Sequence, residues 1–166
     1  MAERLIVFEQ KIKQKGFFNF PELYNFCYNW LRDERYNVDE LEYTEKLTPT
    51  GKEVVIRWVA WRKISDYFKN VIEMNWRILH MQDAEVERDG KKEKTFKGEP
   101  EIRFKGFLEK DWESKWESSP FYKFIRGLYD KYVIRQTIDE YEDKLTDKCA
   151  ALVENIKGFL AMEGRH

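Results

Sequence analysis

The sequence predicts an α+β domain in which a curved antiparallel sheet of about six strands packs against one N-terminal helix and a long C-terminal helix. Apolar residues recur with helical spacing near both ends of the chain and alternate with polar residues in its middle. Pro and Gly are scarce, at 4 and 8 residues, and fall where turns are expected. Sequential strands between helices are typical of the α+β class.

The composition supports a folded chain without a membrane span. With 166 residues the chain is long enough to bury a full core, so we predict a single domain over residues 1–166. Aromatic residues make up 16%, too many for a disordered chain, and no apolar run is long enough to cross a bilayer. The 30 basic and 31 acidic residues balance, so net charge does not indicate a nucleic acid or an anionic membrane.

A change in the spacing of the apolar residues predicts the first strand and then the first helix. Residues 4–14 alternate between apolar and polar and predict a strand that ends at Gly16. Pro21 suits the first turn of a helix. The apolar residues after it are three or four positions apart and form one helical stripe, made of Leu23, Phe26, Cys27, Trp30 and Leu31. This helix is expected to end near residues 33–35.

Alternation with period two predicts the strands of the middle region. The clearest strand covers residues 68–80, with apolar residues at even positions and polar residues at odd positions between 72 and 78. Other segments with this period are residues 41–47, 54–61, 84–88, 91–97 and 102–108. The dipeptide Asp89-Gly90 is a typical hairpin turn, and Pro49 to Gly51 mark another turn.

The helical period returns after Asp111. Ser119-Pro120 is a typical helix start, because a capping residue precedes a proline. One stripe follows it and a second runs from Ile138 to Phe159. Thr137 and Glu140 have the spacing of a capping box, which leaves two alternatives open: a new helix begins at Thr137, or one helix continues through it.

The order of elements resembles that of helix-grip domains of the START and Bet v 1 type. In those domains a curved sheet wraps a long C-terminal helix and leaves an apolar cavity. The resemblance covers only the order of elements, and this chain has one helix after its first strand where those domains usually have two. Independently of this resemblance, the C-terminal helix must bury its apolar stripe, and the even-numbered face of the sheet is the expected partner.

Motifs of catalysis and metal binding are not found in the sequence. The two histidines, His80 and His166, have no Cys or His neighbours at zinc-site spacing. No phosphate-binding loop or nucleophile elbow occurs. We therefore nominate no catalytic residue, metal ligand or cofactor, and expect a binding domain rather than an enzyme. Cys27 and Cys149 are predicted to be buried thiols of a cytoplasmic protein, with a bridge between them as the alternative.

The first functional hypothesis is a pocket for an apolar small molecule between the sheet and the C-terminal helix. Ligand pockets are mostly apolar with a few polar groups. The pocket candidates are the large apolar residues expected on the inner side, namely Trp58, Met74, Trp76, Phe104, Tyr129 and Tyr132. The alternative is that these side chains fill a dense core.

The second hypothesis is a protein that binds a protein partner through its surface, and the third is single-stranded nucleic-acid binding by a basic and aromatic sheet face. Exposed tryptophans are enriched in interfaces, and aromatic rings beside Arg and Lys are what single-stranded nucleic acids bind. The surface candidates are Arg57, Trp61, Arg103, Lys105, Phe107, Trp112 and Trp116. Glu73 on the same face and a pI of about 6.2 weigh against nucleic acid.

Overall fold

A computed structural model describes residues 3–65, 67–110, 120–132 and 135–163 of the chain. Six strands and three helices are present in this part of the molecule. In chain order they are β1 (Glu3–Lys13), β2 (Gly16–Phe18), α1 (Phe20–Asp33), β3 (Asn37–Thr48), β4 (Gly51–Lys63), β5 (Phe68–Arg88), β6 (Lys91–Lys110), α2 (Pro120–Tyr132) and α3 (Arg135–Glu163).

The six strands form one antiparallel sheet that is not closed into a barrel. Its order is β1-β6-β5-β4-β3, with β2 paired to β6 beside β1. The first strand thus pairs with the last, with Glu3 opposite Lys110. The predicted α+β class, the antiparallel sheet, the N-terminal helix and the long C-terminal helix are all confirmed.

Helix α1 forms where a cap and an apolar stripe coincide. The side-chain oxygen of Asn19 accepts a hydrogen bond from the backbone N–H of Glu22 at 3.1 Å, which satisfies one free donor of the first turn. Leu23, Cys27 and Leu31 of the stripe are completely buried. The cap sets where the helix begins, and the stripe sets which side faces the sheet.

The even-numbered side of the sheet is covered by α1 and α3 and is called the inner face below. The core on this face joins residues of the sheet to the apolar stripes of both helices. Helix α3 contributes Leu145, Cys149, Leu152, Val153, Ile156 and Leu160. Both cysteines are free and buried, and burial raises the pKa of the Cys149 thiol to about 12. The opposite side of the sheet is called the outer face.

The segments predicted at 68–80 and 84–88 form one strand, β5, with a bulge between them, and those predicted at 91–97 and 102–108 form β6. The register between β5 and β6 shifts between Leu79 and Gln82, and His80 has a φ of 55°. Beyond the shift Met81, rather than His80, is buried. A side chain at Gly51 would place its Cβ 2.9 Å from backbone atoms of His80 and Met81, so the β3–β4 turn can pack on the bulge only because it carries glycine.

One local feature differs from the sequence predictions, and a second bears on the alternatives left open at Thr137. Residues 16–18 form the short strand β2, whereas only the end of the first strand was expected there. Helix α3 begins at Arg135, so Thr137 lies in its first turn and does not begin it. Phe17 lies opposite Lys97 of β6, and such cross-strand pairing does not show in the local pattern of residues.

Candidate binding surface at the β3 edge

The predicted pocket residues of the sheet lie together in the core. Trp58, Met74, Trp76 and Phe104 are at most 1% exposed. The rings of Trp58 and Trp76 are 5.2 Å apart, and the ring of Tyr24 from α1 lies 4.9 Å from that of Trp58. The side chains of the other two candidates, Tyr129 and Tyr132 on α2, lie outside the described part of the structure.

The predicted surface residues of the sheet lie on the outer face. Arg57 and Arg103 are exposed, while Trp61 and Lys105 are half-buried. Phe107 was expected at the surface but is only 9% exposed, and the guanidinium of Arg4 lies 5.4 Å from its ring centre. Trp112 and Trp116, the remaining candidates, fall outside the described residues.

Several basic side chains of the outer face form ion pairs with carboxylates on their own or a nearby strand. Arg4 lies 3.1 Å from Glu109 and 3.6 Å from Glu73. Further pairs join Arg77 to Glu53 at 3.2 Å, Arg103 to Glu101 at 3.1 Å, Lys11 to Glu101 at 3.9 Å and Lys105 to Glu9 at 3.8 Å. The outer face is therefore rich in charge but close to neutral over short distances.

Strand β3 lies at the edge of the sheet and pairs only with β4 within the described residues. Its apolar side chains are unusually exposed, at 58% for Leu41, 41% for Tyr43 and 80% for Leu47. Tyr28 on the neighbouring α1 is also exposed. The term "β3 edge surface" is used below for Tyr24, Tyr28, Glu40, Leu41, Tyr43, Glu45 and Leu47.

A bulge in β3 brings Glu40 and Tyr43 to the same side of the strand. Glu40 lies opposite Trp58 and Tyr43 lies opposite Ile56, with the register shifting between Glu40 and Glu42. Trp58 and Ile56 are both inner-face residues. The carboxylate and the phenol ring therefore face α1, and the ring of Tyr43 lies 6.2 Å from that of Tyr24.

The Glu40 carboxylate is held by two neutral donors from different elements. The hydroxyl of Tyr24 donates to Oε2 at 2.5 Å, and Nε1 of Trp58 donates to the same oxygen at 2.9 Å. Neither bond involves Oε1, and Glu40 is exposed. The carboxylate is thus fixed in position through Oε2, while Oε1 accepts no hydrogen bond from either donor.

Two of the other three carboxylates of β3 also accept hydrogen bonds from neutral groups. Asp39 accepts a hydrogen bond from Nε1 of Trp61 at 2.9 Å, and Glu45 accepts one from the hydroxyl of Tyr43 at 3.1 Å. Glu45 also lies 3.8 Å from Nζ of Lys52. No cationic side chain of the described residues forms an ion pair with Asp39, Glu40 or Glu42.

The tyrosine donors of this surface keep their protons over the physiological pH range. Burial, together with the hydrogen bond to Glu40, raises the pKa of Tyr24 well above its usual value. Burial and the hydrogen bond to Glu45 raise the pKa of Tyr43 to about 12. Both hydroxyls therefore remain neutral donors, and the negative charge of the strand remains on its carboxylates.

Glu40, Tyr43 and Leu47 were not among the functional residues predicted from the sequence. The alternation of Leu41, Tyr43 and Leu47 indicated a strand, but it did not indicate that this strand lies at an edge. The contact between Tyr24 and Glu40 joins residues 16 positions apart in different elements. A usable signal was the charge of β3, which has four carboxylates and one lysine.

The described residues contain neither a metal-binding cluster nor a helix that could cross a membrane. No group of three or more His, Cys, Asp or Glu among them could hold a metal ion. None of the helices in the described ranges is long and apolar enough to cross a membrane. In comparisons with known proteins, the chain matches no protein-family model, no curated protein and no solved structure.

Proposed function

We propose that this protein is a non-enzymatic interaction domain that binds an extended segment of a protein partner along the free edge of β3. The observation that carries the proposal is the edge strand itself, which is 12 residues long and exposes Leu41, Tyr43 and Leu47. An edge strand presents unpaired backbone N–H and C=O groups, which an added strand can pair with. Exposed apolar side chains beside it supply contact area for the partner.

The charge of β3 favours a different protein over a second copy of this chain. Four carboxylates against one lysine would repel an identical strand placed alongside. Natural proteins use charged edges to prevent self-association. The same charges leave the edge available to a chain of opposite charge.

The other two hypotheses have weaker support. For an apolar pocket, the four sheet candidates pack in the core with hardly any exposed surface. For a single-stranded nucleic acid, a strongly positive face is needed, and Arg77, Arg103 and Lys105 of the outer face are ion-paired. Binding of labelled single-stranded RNA at low salt, lost on adding salt, would favour that alternative.

The test is a selection of short random peptides displayed against the protein. The double variant Leu41→Ser/Leu47→Ser removes apolar area from the edge, and Ile6→Ser is the matched control, because Ile6 is 60% exposed on the opposite edge strand. We expect the peptides selected on the wild type to bind Ile6→Ser equally. They should bind the double variant about tenfold more weakly or worse, because two apolar contacts are lost.

Hydrogen exchange locates the binding site in the same samples. A bound strand should slow amide exchange in β3 and leave exchange in β1 unchanged. Equal affinity of the double variant, or protection confined to another element, would show that the proposed surface is wrong.

A further inference from the structure

We propose that the partner is a basic extended segment, and that one of its arginine or lysine side chains binds Oε1 of Glu40. This inference rests on the proposed function, because it assumes that the partner lies along β3. It adds the chemistry of the partner and the residue that recognises it. Three properties of Glu40 support it: the position of the carboxylate, its charge, and its aromatic surroundings.

The first step is that Glu40 is already oriented before a partner arrives. Oε2 accepts hydrogen bonds from Tyr24 and Trp58, and Trp58 is itself buried in the core. A side chain held in this way loses little further freedom on binding. Oε1 takes no part in either bond, and it is the acceptor that an incoming N–H group would use.

The second step is that no cation among the described residues neutralises the charge of Glu40. Its donors are a phenol and an indole, and no described cation pairs with it. Glu109 on the outer face, in contrast, lies 3.1 Å from the guanidinium of Arg4. A cationic partner can therefore add a charge-assisted hydrogen bond at Glu40 without displacing a cation already present.

The third step is the ring of Tyr43, which lies on the same side of β3 as Glu40. It is 41% exposed and meets the Tyr24 ring edge-on at 6.2 Å. The face of an aromatic ring attracts ammonium and guanidinium groups. Side chains of an added strand alternate between the two sides, so every second one would lie on the side of Glu40 and Tyr43.

The main experiment changes the peptide and leaves the protein unaltered. The probe is a capped peptide in which Lys and Arg alternate with Val and Thr, and its binding to the full chain is measured by fluorescence anisotropy. Replacing every Lys and Arg by Gln should weaken binding about tenfold or more, the effect of one or more charge-assisted hydrogen bonds. Replacing them by Glu should abolish it.

Two matched variants separate Glu40 from the general charge of the strand. Glu40→Gln should weaken binding of the basic peptide about tenfold, whereas Glu42→Gln should change it by less than about threefold. Glu42 lies on the same strand and has no donor or cation among the described residues. Circular dichroism and thermal melting confirm that both variants are folded. Tyr24→Phe, which removes a positioning hydroxyl, should weaken the basic peptide but not the Gln peptide.

The outcomes distinguish this inference from the proposed function. Equal affinity for the basic, Gln and Glu peptides, with binding still lost in Leu41→Ser/Leu47→Ser, would overturn the inference and leave the interaction surface intact. Equal losses in Glu40→Gln and Glu42→Gln would also overturn it, because diffuse charge would then explain binding. Selected peptides that do not depend on Leu41 and Leu47 would overturn the proposed function itself.

Discussion

The outer face and the β3 edge surface both combine aromatic rings with carboxylates, but they differ in what holds the carboxylates. On the outer face Glu9, Glu53, Glu101 and Glu109 are held by Arg or Lys side chains. At the β3 edge surface, Glu40 is held by an indole and a phenol donor. A carboxylate paired with Arg or Lys has its charge compensated within the protein. A carboxylate held by a neutral donor keeps a charge that another molecule can bind.

The largest expected effect tests whether the edge surface is anchored in the core. Trp58→Ala should lower the free energy of unfolding by about 3–5 kcal/mol, because a buried indole and the donor to Glu40 are both lost. Trp61→Ala, the control three positions along β4, should cost about 1–2 kcal/mol, since Trp61 is half-buried on the outer face. Urea unfolding measures both, and equal losses would contradict the distinction between the two faces.

The next effect concerns the most buried carboxylate of the outer face. Arg4→Ala should cost about 2 kcal/mol, because Glu109 is only 7% exposed and would lose the cation beside it. Arg103→Ala should cost no more than about 0.5 kcal/mol, since Arg103 is an exposed partner in its ion pair. If urea unfolding showed the two variants to be equally stable, the ion pairs would not be what organises this face.

Alkaline pH tests the neutral donors of the edge. The pKa of Tyr43 is about 12 in the folded chain, against an ordinary value of 10.0 for tyrosine. The protonated phenol is neutral. The unfolded chain therefore loses its proton first, so the stability contributed by this group is complete below pH 10 and declines up to about pH 12. Tyr43→Phe should reduce this decline in stability. The reduction should be smaller than the stability lost in Arg4→Ala, because solvent screens a half-exposed group.

The pH experiment follows the urea midpoint of the wild type and of Tyr43→Phe across the alkaline range. Tyr24 acts in the same direction, since its pKa is raised by burial and by Glu40. An identical decline in the variant would mean that the bond between Tyr43 and Glu45 does not hold the phenolic proton.

The smallest effect on stability is expected at Leu47, which the proposed function places in contact with the partner. Leu47→Ser should change the free energy of unfolding by less than about 0.5 kcal/mol, because the side chain is 80% exposed. The residue would then be dispensable for folding, as expected of a contact made with a partner. A loss of several kcal/mol in thermal or urea unfolding would show that Leu47 supports the fold instead.

The architecture was predictable because the spacing of apolar residues differs between the strands and the helices. Even positions such as Ile72 and Met74 face the helices, as alternation predicts. The bulge at His80 was not predictable, because it exchanges the faces of the following residues and packs against a turn at Gly51 far along the chain. Local alternation cannot report a contact of that kind.

The candidate site was less accessible to sequence reasoning. Exposed Leu41 and Leu47 look like ordinary strand residues until the strand order places β3 at an edge. Glu40 is one of 31 acidic residues, and only the folded chain brings Tyr24 and Trp58 to it. Phe107 shows the opposite case, since its position suggested exposure and Arg4 covers it.

The pairing of β1 with β6 has a consequence for the order in which this protein is made. Glu3 meets Lys110 in the sheet, so the first strand leaves the ribosome long before its partner exists. Contacts between residues so distant in sequence slow folding, because a long loop must close before they form. During synthesis β1 therefore remains an unpaired apolar segment until β6 has been made. The hairpins of β3 to β6 can form earlier, and the completed β6 then provides the surface on which β1 docks.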